Sequence, residues 1–190
     1  MFLLSFLCWQ HISAQTNSSH DSVRIFFRQG VDKLDLNYRA NEEKLGRFSR
    51  QLMELNNRKV RYGNVRVFSS ASPEGPSALN EILARNRAKV LLDYMRSHVE
   101  WSGVEFEMTP VELDWSLFRQ LVNSSDLPEK KLVLEILEKE PESDRKRLLK
   151  SLKGGRVWNE MLRSLYPDMR TCVLYVHYIP QGDSLSFDWV

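Results

Sequence analysis

Cysteine is almost absent from this chain of 190 residues, which has only Cys8 and Cys172. A disulfide framework therefore cannot hold the fold together, and removal of a leader after Ala14 would leave Cys172 alone, with no internal disulfide to form. An excess of one charge sign is missing too. Lys and Arg number 27 against 25 Asp and Glu, a net charge of +2, so there is no broad basic field to collect nucleic acid or acidic membrane. No later segment approaches the roughly 20 apolar residues that cross a bilayer, so no transmembrane helix is expected. No internal repeat at solenoid spacing is visible either. Recognition has to come from local sites.

The marks of catalysis are missing as well. There is no phosphate loop, GxSxG, HExxH or CxxC, and the one SxxK, Ser143 to Lys146, stands in a charged turn without its companion motifs. His20, His98 and His177 are far apart in the chain, with no acid or cysteine at metal-ligand spacing, so neither a metal nor a cofactor is expected. No nucleophile and base stand together as a set, and the chain reads as non-enzymatic.

What is present is the composition of one ordinary globular domain, 42% hydrophobic and 27% charged. The start, "MFLLSFLCWQHISAQ", is apolar from Phe2 to Trp9 and ends in the small residues Ser13 and Ala14, as in a secretory signal peptide, although a positively charged first segment is missing. Leu7 before Cys8 argues against a lipid anchor. Residues 15–22 are polar and read as a flexible leader. "VRIFF" follows, with Val23, Ile25 and Phe27 on one face, as strand one. Asn41 is placed to cap a helix over roughly 42–55, with Glu42 and Glu43 in its first turn and Leu45, Phe48, Leu52 and Leu55 at helical spacing.

A second strand, "NVRVFSSA", ends in small residues, and Pro73, Gly75 and Pro76 then force a turn. A helix follows from about Ser77 to Ser97, whose expected apolar stripe is Leu79, Ile82, Leu83, Val90, Leu91 and Tyr94. "GVEFEM" alternates strictly, with Val104, Phe106 and Met108 inward. After Pro110 the pattern becomes helical, with Asp114 as a cap and Trp115, Phe118 and Trp158 at core spacing among Leu and Met. The mixed charges of residues 126–153 read as a solvated helix face, and Gly154 and Gly155 as a helix end. "TCVLYVHYI" closes the chain's pattern as a well-covered strand that is not an edge. The order β, α, β, α, β, helical block, β predicts an α+β fold, a mixed sheet with helices packed on one face.

The turn between strand two and the long helix concentrates the candidate binding residues. A strand end, a Pro/Gly turn and a helix N-terminus bring main-chain amides and the positive end of a helix dipole together, a setting that favours an anion. Asn80 and Arg87 are seven apart and share a helix face; Arg87 can offer a forked donor to a carboxylate and Asn80 can hold the turn. On spacing alone, Asn80 capping local backbone and Arg87 pairing with a surface acid is an equal reading.

The segments "VRVFSSASPEGPSALNEILARNRAKVLLDYM" and "VRIFFRQGVDKLDLNYRANEEKLGRF", with "RTCVLYVHY" at the close, resemble the OmpA-like, peptidoglycan-associated domain of diderm bacterial envelope proteins. The likeness covers about residues 23–109 and 170–179. The helix motif of that family, NxxLSxxRAxxVxxYL, is matched by Asn80, Leu83, Ala84, Arg87, Ala88, Leu91 and Tyr94. The resemblance implies a βαβαβ(insertion)β two-layer sandwich that holds the stem peptide of peptidoglycan without a covalent bond. It gives Arg87 the ligand carboxylate and gives Asn80 the role of the helix asparagine. The aspartate of the family's TDxxG turn falls on Ser72, which cannot supply the charge that compensates an ammonium. Glu74, just before Gly75, is the candidate replacement.

The expected organisation is therefore a signal peptide at 1–14, a leader at 15–22, an OmpA-like domain at 23–180 with a helical insertion at about 112–167, and a tail at 181–190. The expected function is peptidoglycan binding in the periplasm, in association with the outer membrane, through Arg87, Asn80, Ser72, Glu74 and Gly75. The alternative is a degenerate OmpA-like scaffold that has lost its ligand aspartate and docks an envelope or surface-appendage protein.

Overall fold

The computed structural model describes residues 19–179. The signal peptide expected at 1–14 and the tail at 181–190 lie outside the described residues. The fold is α+β, with one four-stranded sheet in the order β1-β4-β2-β3. Strand β1 spans Ser19–Phe26, β2 Arg61–Ala71, β3 Glu105–Leu113 and β4 Thr171–Ile179. β4 runs antiparallel to both β1 and β2, while β2 and β3 are parallel, so the sheet is mixed and the closing strand is interior, as its apolar pattern suggests. Residues 19–22, expected to be part of a flexible leader, are paired strand: Ser22 stands opposite Tyr175 and His20 opposite His177.

Helices α1 (Asn41–Asn57) and α2 (Ser77–His98) cover one face of the sheet. The alternating residues Val23 and Ile25 of β1, Val65 and Val67 of β2, and Cys172, Leu174 and Val176 of β4 meet Leu45, Phe48 and Leu52 of α1 and Leu91, Leu92 and Met95 of α2 in one core. Period-two strands against period-3.6 helices produce this layering. Two expectations about which residues enter it fail. Leu79 and Ile82 are 46% and 55% exposed, because the buried stripe of α2 runs instead through Asn80, Leu83, Ala84, Arg87, Ala88 and Leu91. Met108 is 44% exposed because it lies on an outer strand, beyond the reach of the core that holds Phe106. β3 continues through Pro110 to Leu113; as the outermost strand it pairs only with β2, and an edge tolerates a residue that has no N–H.

Asn41 does not cap its own helix, whose capping position is Ala40 in the left-handed region at φ 58°. Its buried side chain instead accepts from Phe26 N (3.0 Å) and donates to Phe26 O and Asp35 O, both at 2.9 Å. One amide thus fastens the end of β1 and the following loop to the start of α1.

Between β3 and β4 stand α3 (Trp115–Ser124), α4 (Lys130–Lys139), α5 (Glu142–Ser151), α6 (Arg156–Ser164) and the single turn α7 (Tyr166–Met169). Asp114 caps α3 by accepting from Leu117 N at 2.8 Å, as its position suggests. Gly154 and Gly155, at φ 66° and 87°, turn α5 into α6. The block buries a core of its own, in which Phe118, Val122, Leu137, Leu149, Met161 and Tyr166 are almost wholly covered.

Candidate functional site

The turn after β2 is held from several directions. Asn80 donates from Nδ2 to Ser72 O at 3.0 Å, and its N–H makes the first helical bond to Pro76 O at 2.9 Å. A Cβ on Gly75 would lie 2.4 Å from Asn80 Oδ1, so only glycine lets the turn press this closely on the helix. Asn80 therefore holds the turn, in agreement with the sequence reading. Ser72, Glu74, Gly75 and Asn80 are brought together as expected.

Arg87 is in the right helix and on the right face, but its guanidinium is turned to the main chain. It is 1% exposed, and it donates from Nε to Val31 O (3.0 Å), from Nη1 to Ser70 O (3.2 Å) and from Nη2 to Arg28 O (3.2 Å). Its carbon Cζ lies 5.1 Å from the centre of the Phe27 ring. Burial, and next the nearby Arg170, bring its pKa down to about 10, so it remains a cation at neutral pH. Of the two roles the sequence offered, pairing with a surface acid is not seen, since its donors meet three main-chain carbonyls. It ties the loop after β1 and the end of β2 to α2.

The carboxylate of Glu74 is held by a residue that sequence reasoning passed over. Arg170, the last residue before β4, donates from Nη2 to Glu74 Oε1 at 2.7 Å and from Nε to Glu74 Oε1 at 3.1 Å and Ser72 Oγ at 3.0 Å. Ser72 passes its own proton donor on to Glu74 Oε1 at 2.7 Å. The side chains of Arg170 and Glu74 are only 8% and 13% exposed, so this is a buried ion pair. Lys146 of α5 reaches the same turn and donates to Gly75 O. The lysine is a strut between the helical block and the turn. Tyr166 completes the corner from the other side. Burial, and secondarily the charge of Glu74, raise its hydroxyl well above the usual tyrosine value. Tyr166 Oη and Glu74 Oε2 are both buried without a hydrogen-bond partner.

The corner thus draws on β2, α2, α5, α7 and the start of β4. Its geometry is that of a joint, in which donors and acceptors from several elements converge on one turn. Among the described residues no cluster of three His, Cys, Asp or Glu is placed to hold a metal, and no helix is long and apolar enough to cross a membrane. Cys172 lies fully buried next to this region, and burial pushes its thiol up to about 12, so it is an inert packing group at neutral pH.

A second concave feature lies on the other face of the sheet, which α1 and α2 leave uncovered. A groove of about 560 Å³ runs between that face and α3, lined among others by His20, Arg24, Arg66, Phe68, Tyr175 and Leu117. Alternation along the strands puts these polar and aromatic side chains opposite the buried valines and leucines. No family model matches the chain, and no curated protein matches it.

Proposed function

We propose that the chain is a non-catalytic, OmpA-like scaffold of the bacterial envelope that works as a protein-interaction module, with its former ligand corner turned into an internal joint. The observation that carries this reading is the engagement of Arg87 by the carbonyls of Val31, Ser70 and Arg28 at 1% exposure. A ligand carboxylate would have to displace those bonds, while Arg170 already fills the neighbouring position against Glu74. The order of elements and the helix motif from Asn80 to Tyr94 support the OmpA-like assignment, and the apolar leader supports export to the periplasm, at the inner side of the outer membrane.

Peptidoglycan binding is the second reading, and one observation favours it. Three cations stand near the turn, Arg170 on the Glu74 carboxylate, Lys146 on Gly75 O and Arg87 on Ser70 O, so the charge of a stem-peptide carboxylate suits the corner. A sacculus pull-down separates the two. Neither the wild-type chain nor Lys146→Ala, which uncovers the turn, should be retained by purified sacculi above an unrelated control protein. Retention of the wild type that disappears in a folded Arg87→Lys variant would overturn the scaffold reading.

A further inference from the structure

The uncovered sheet face carries a pattern that the corner does not. Strand register sets Arg24 opposite Val173 and Val173 opposite Phe68, and in the next row it sets Ser22, Tyr175 and Arg66 side by side. Arg24 and Arg66 therefore flank a strip made by Val173, Tyr175 and Phe68. Phe68 is 38% exposed and meets Tyr175 edge to face with ring centres 5.6 Å apart. The strip is extended by His20 and His177, whose rings lie 5.8 Å apart.

Charge decides what such a strip suits. The acids beside it are already engaged: Asp114 caps α3 through Leu117 N, and Glu107 pairs with Arg66 at 3.1 Å. Arg24 is exposed and makes no ion pair among the described residues. What the groove leaves unmatched is a cation beside an aromatic and aliphatic floor. α3 forms its wall with Ser116, Leu117 and Gln120, so a chain segment can lie along it rather than on a flat surface.

We infer that this groove docks an acidic segment of a partner protein, one that alternates carboxylate with aromatic or aliphatic side chains, with Arg24 taking a carboxylate and Phe68 and Tyr175 the apolar group. This rests on the scaffold reading above and gives it a surface and a partner chemistry. The probe is a short fluorescein-labelled peptide alternating glutamate with phenylalanine and leucine, compared with the same peptide carrying lysine for glutamate, and read by fluorescence anisotropy on the full chain. The glutamate peptide should bind and the lysine peptide should not. Arg24→Glu should weaken binding about tenfold and Phe68→Ala about fivefold, with unfolding midpoints unchanged.

Equal binding of both peptides, no binding of the glutamate peptide, or unchanged affinity in Arg24→Glu would overturn the proposal. Sedimentation supplies one more outcome: self-association of the wild type that Arg24→Glu abolishes would make a second copy the occupant and refute the acidic partner. The two readings fail separately. Arg87-dependent retention on sacculi together with glutamate-peptide binding would remove the scaffold reading of the corner and leave the groove standing. Absence of both would remove the groove alone.

Discussion

The corner around Ser72 follows the end of β2 and the open face around Phe68 lies along the same strand, yet they treat their cations in opposite ways. In the corner Arg87 and Arg170 are buried and each is bound to several internal acceptors. On the face Arg24 and Arg66 are exposed and stand beside aromatic rings. A buried guanidinium acts as a cross-link because leaving its donors unmatched is costly, whereas the exposed Arg24, unlike Arg66 with its Glu107, keeps its donors available to a partner. Residue type alone does not separate a structural arginine from a recognising one; the direction of burial does.

That comparison breaks first at Arg87. Arg87→Ala removes three donors from buried or part-buried carbonyls and leaves a cavity, and we expect about 4 kcal/mol of lost stability. Urea unfolding followed by circular dichroism reads it, and a loss below about 1 kcal/mol would mean that the joint is not structural. Next in size is Glu74→Ala, which strands Arg170 in a buried position and should lose about 3 kcal/mol. Arg170→Met in the Glu74→Ala background should add little further loss, giving a coupling energy of about 2 kcal/mol in the double-mutant cycle. Simple additivity would show that the two side chains act independently.

Gly75→Ala should lose about 2 kcal/mol, since its Cβ would lie 2.4 Å from Asn80 Oδ1. Adding Asn80→Ala removes the obstacle, so Gly75→Ala should be better tolerated in that background than in the wild type. The smallest effect belongs to the open face. Arg24→Ala and Phe68→Ala should each shift stability by less than about 0.5 kcal/mol, and a larger loss would mean that the face is part of the core.

The raised thiol adds a pH test of the corner's surroundings. Burial pushes the Cys172 thiol from its ordinary value of 9.0 up to about 12, so across that window the folded chain keeps a proton that the unfolded chain gives up. Its contribution is fully present below pH 9 and is lost as pH rises towards 12. Cys172→Ala should therefore flatten the decline of stability across that window, measured by urea midpoints.

Much of the fold could be read along the chain because it is local. Alternation gave β1, β2 and β3, three breakers in a row gave the turn, and helical spacing gave α1 and α2. The misplaced residues have two causes. Leu79 and Ile82 are apolar yet face outward because the stripe of α2 that meets the sheet includes Asn80 and Arg87, whose hydrogen bonds are satisfied inside, whereas Met108 is left open by the outer position of its strand. The site divided in the same way. Ser72, Glu74, Gly75 and Asn80 lie within one turn, and their meeting follows from the sequence. Arg170 is 96 residues from Glu74 and Lys146 is 71 from Gly75, distances at which no periodicity links two side chains. The one available signal was an acid beside glycine in a tight turn with no nearby cation, which asks for a distant one.

Pro110 has a further consequence. A sheet with an outermost strand offers a row of main-chain donors and acceptors that a foreign strand can copy, and this is a common route to uncontrolled stacking. On β3 that row is interrupted where Pro110 offers no N–H, and the exposed carboxylates of Glu105 and Glu107 stand along the same strand. The break makes this side of the sheet a poor template for growth by added strands.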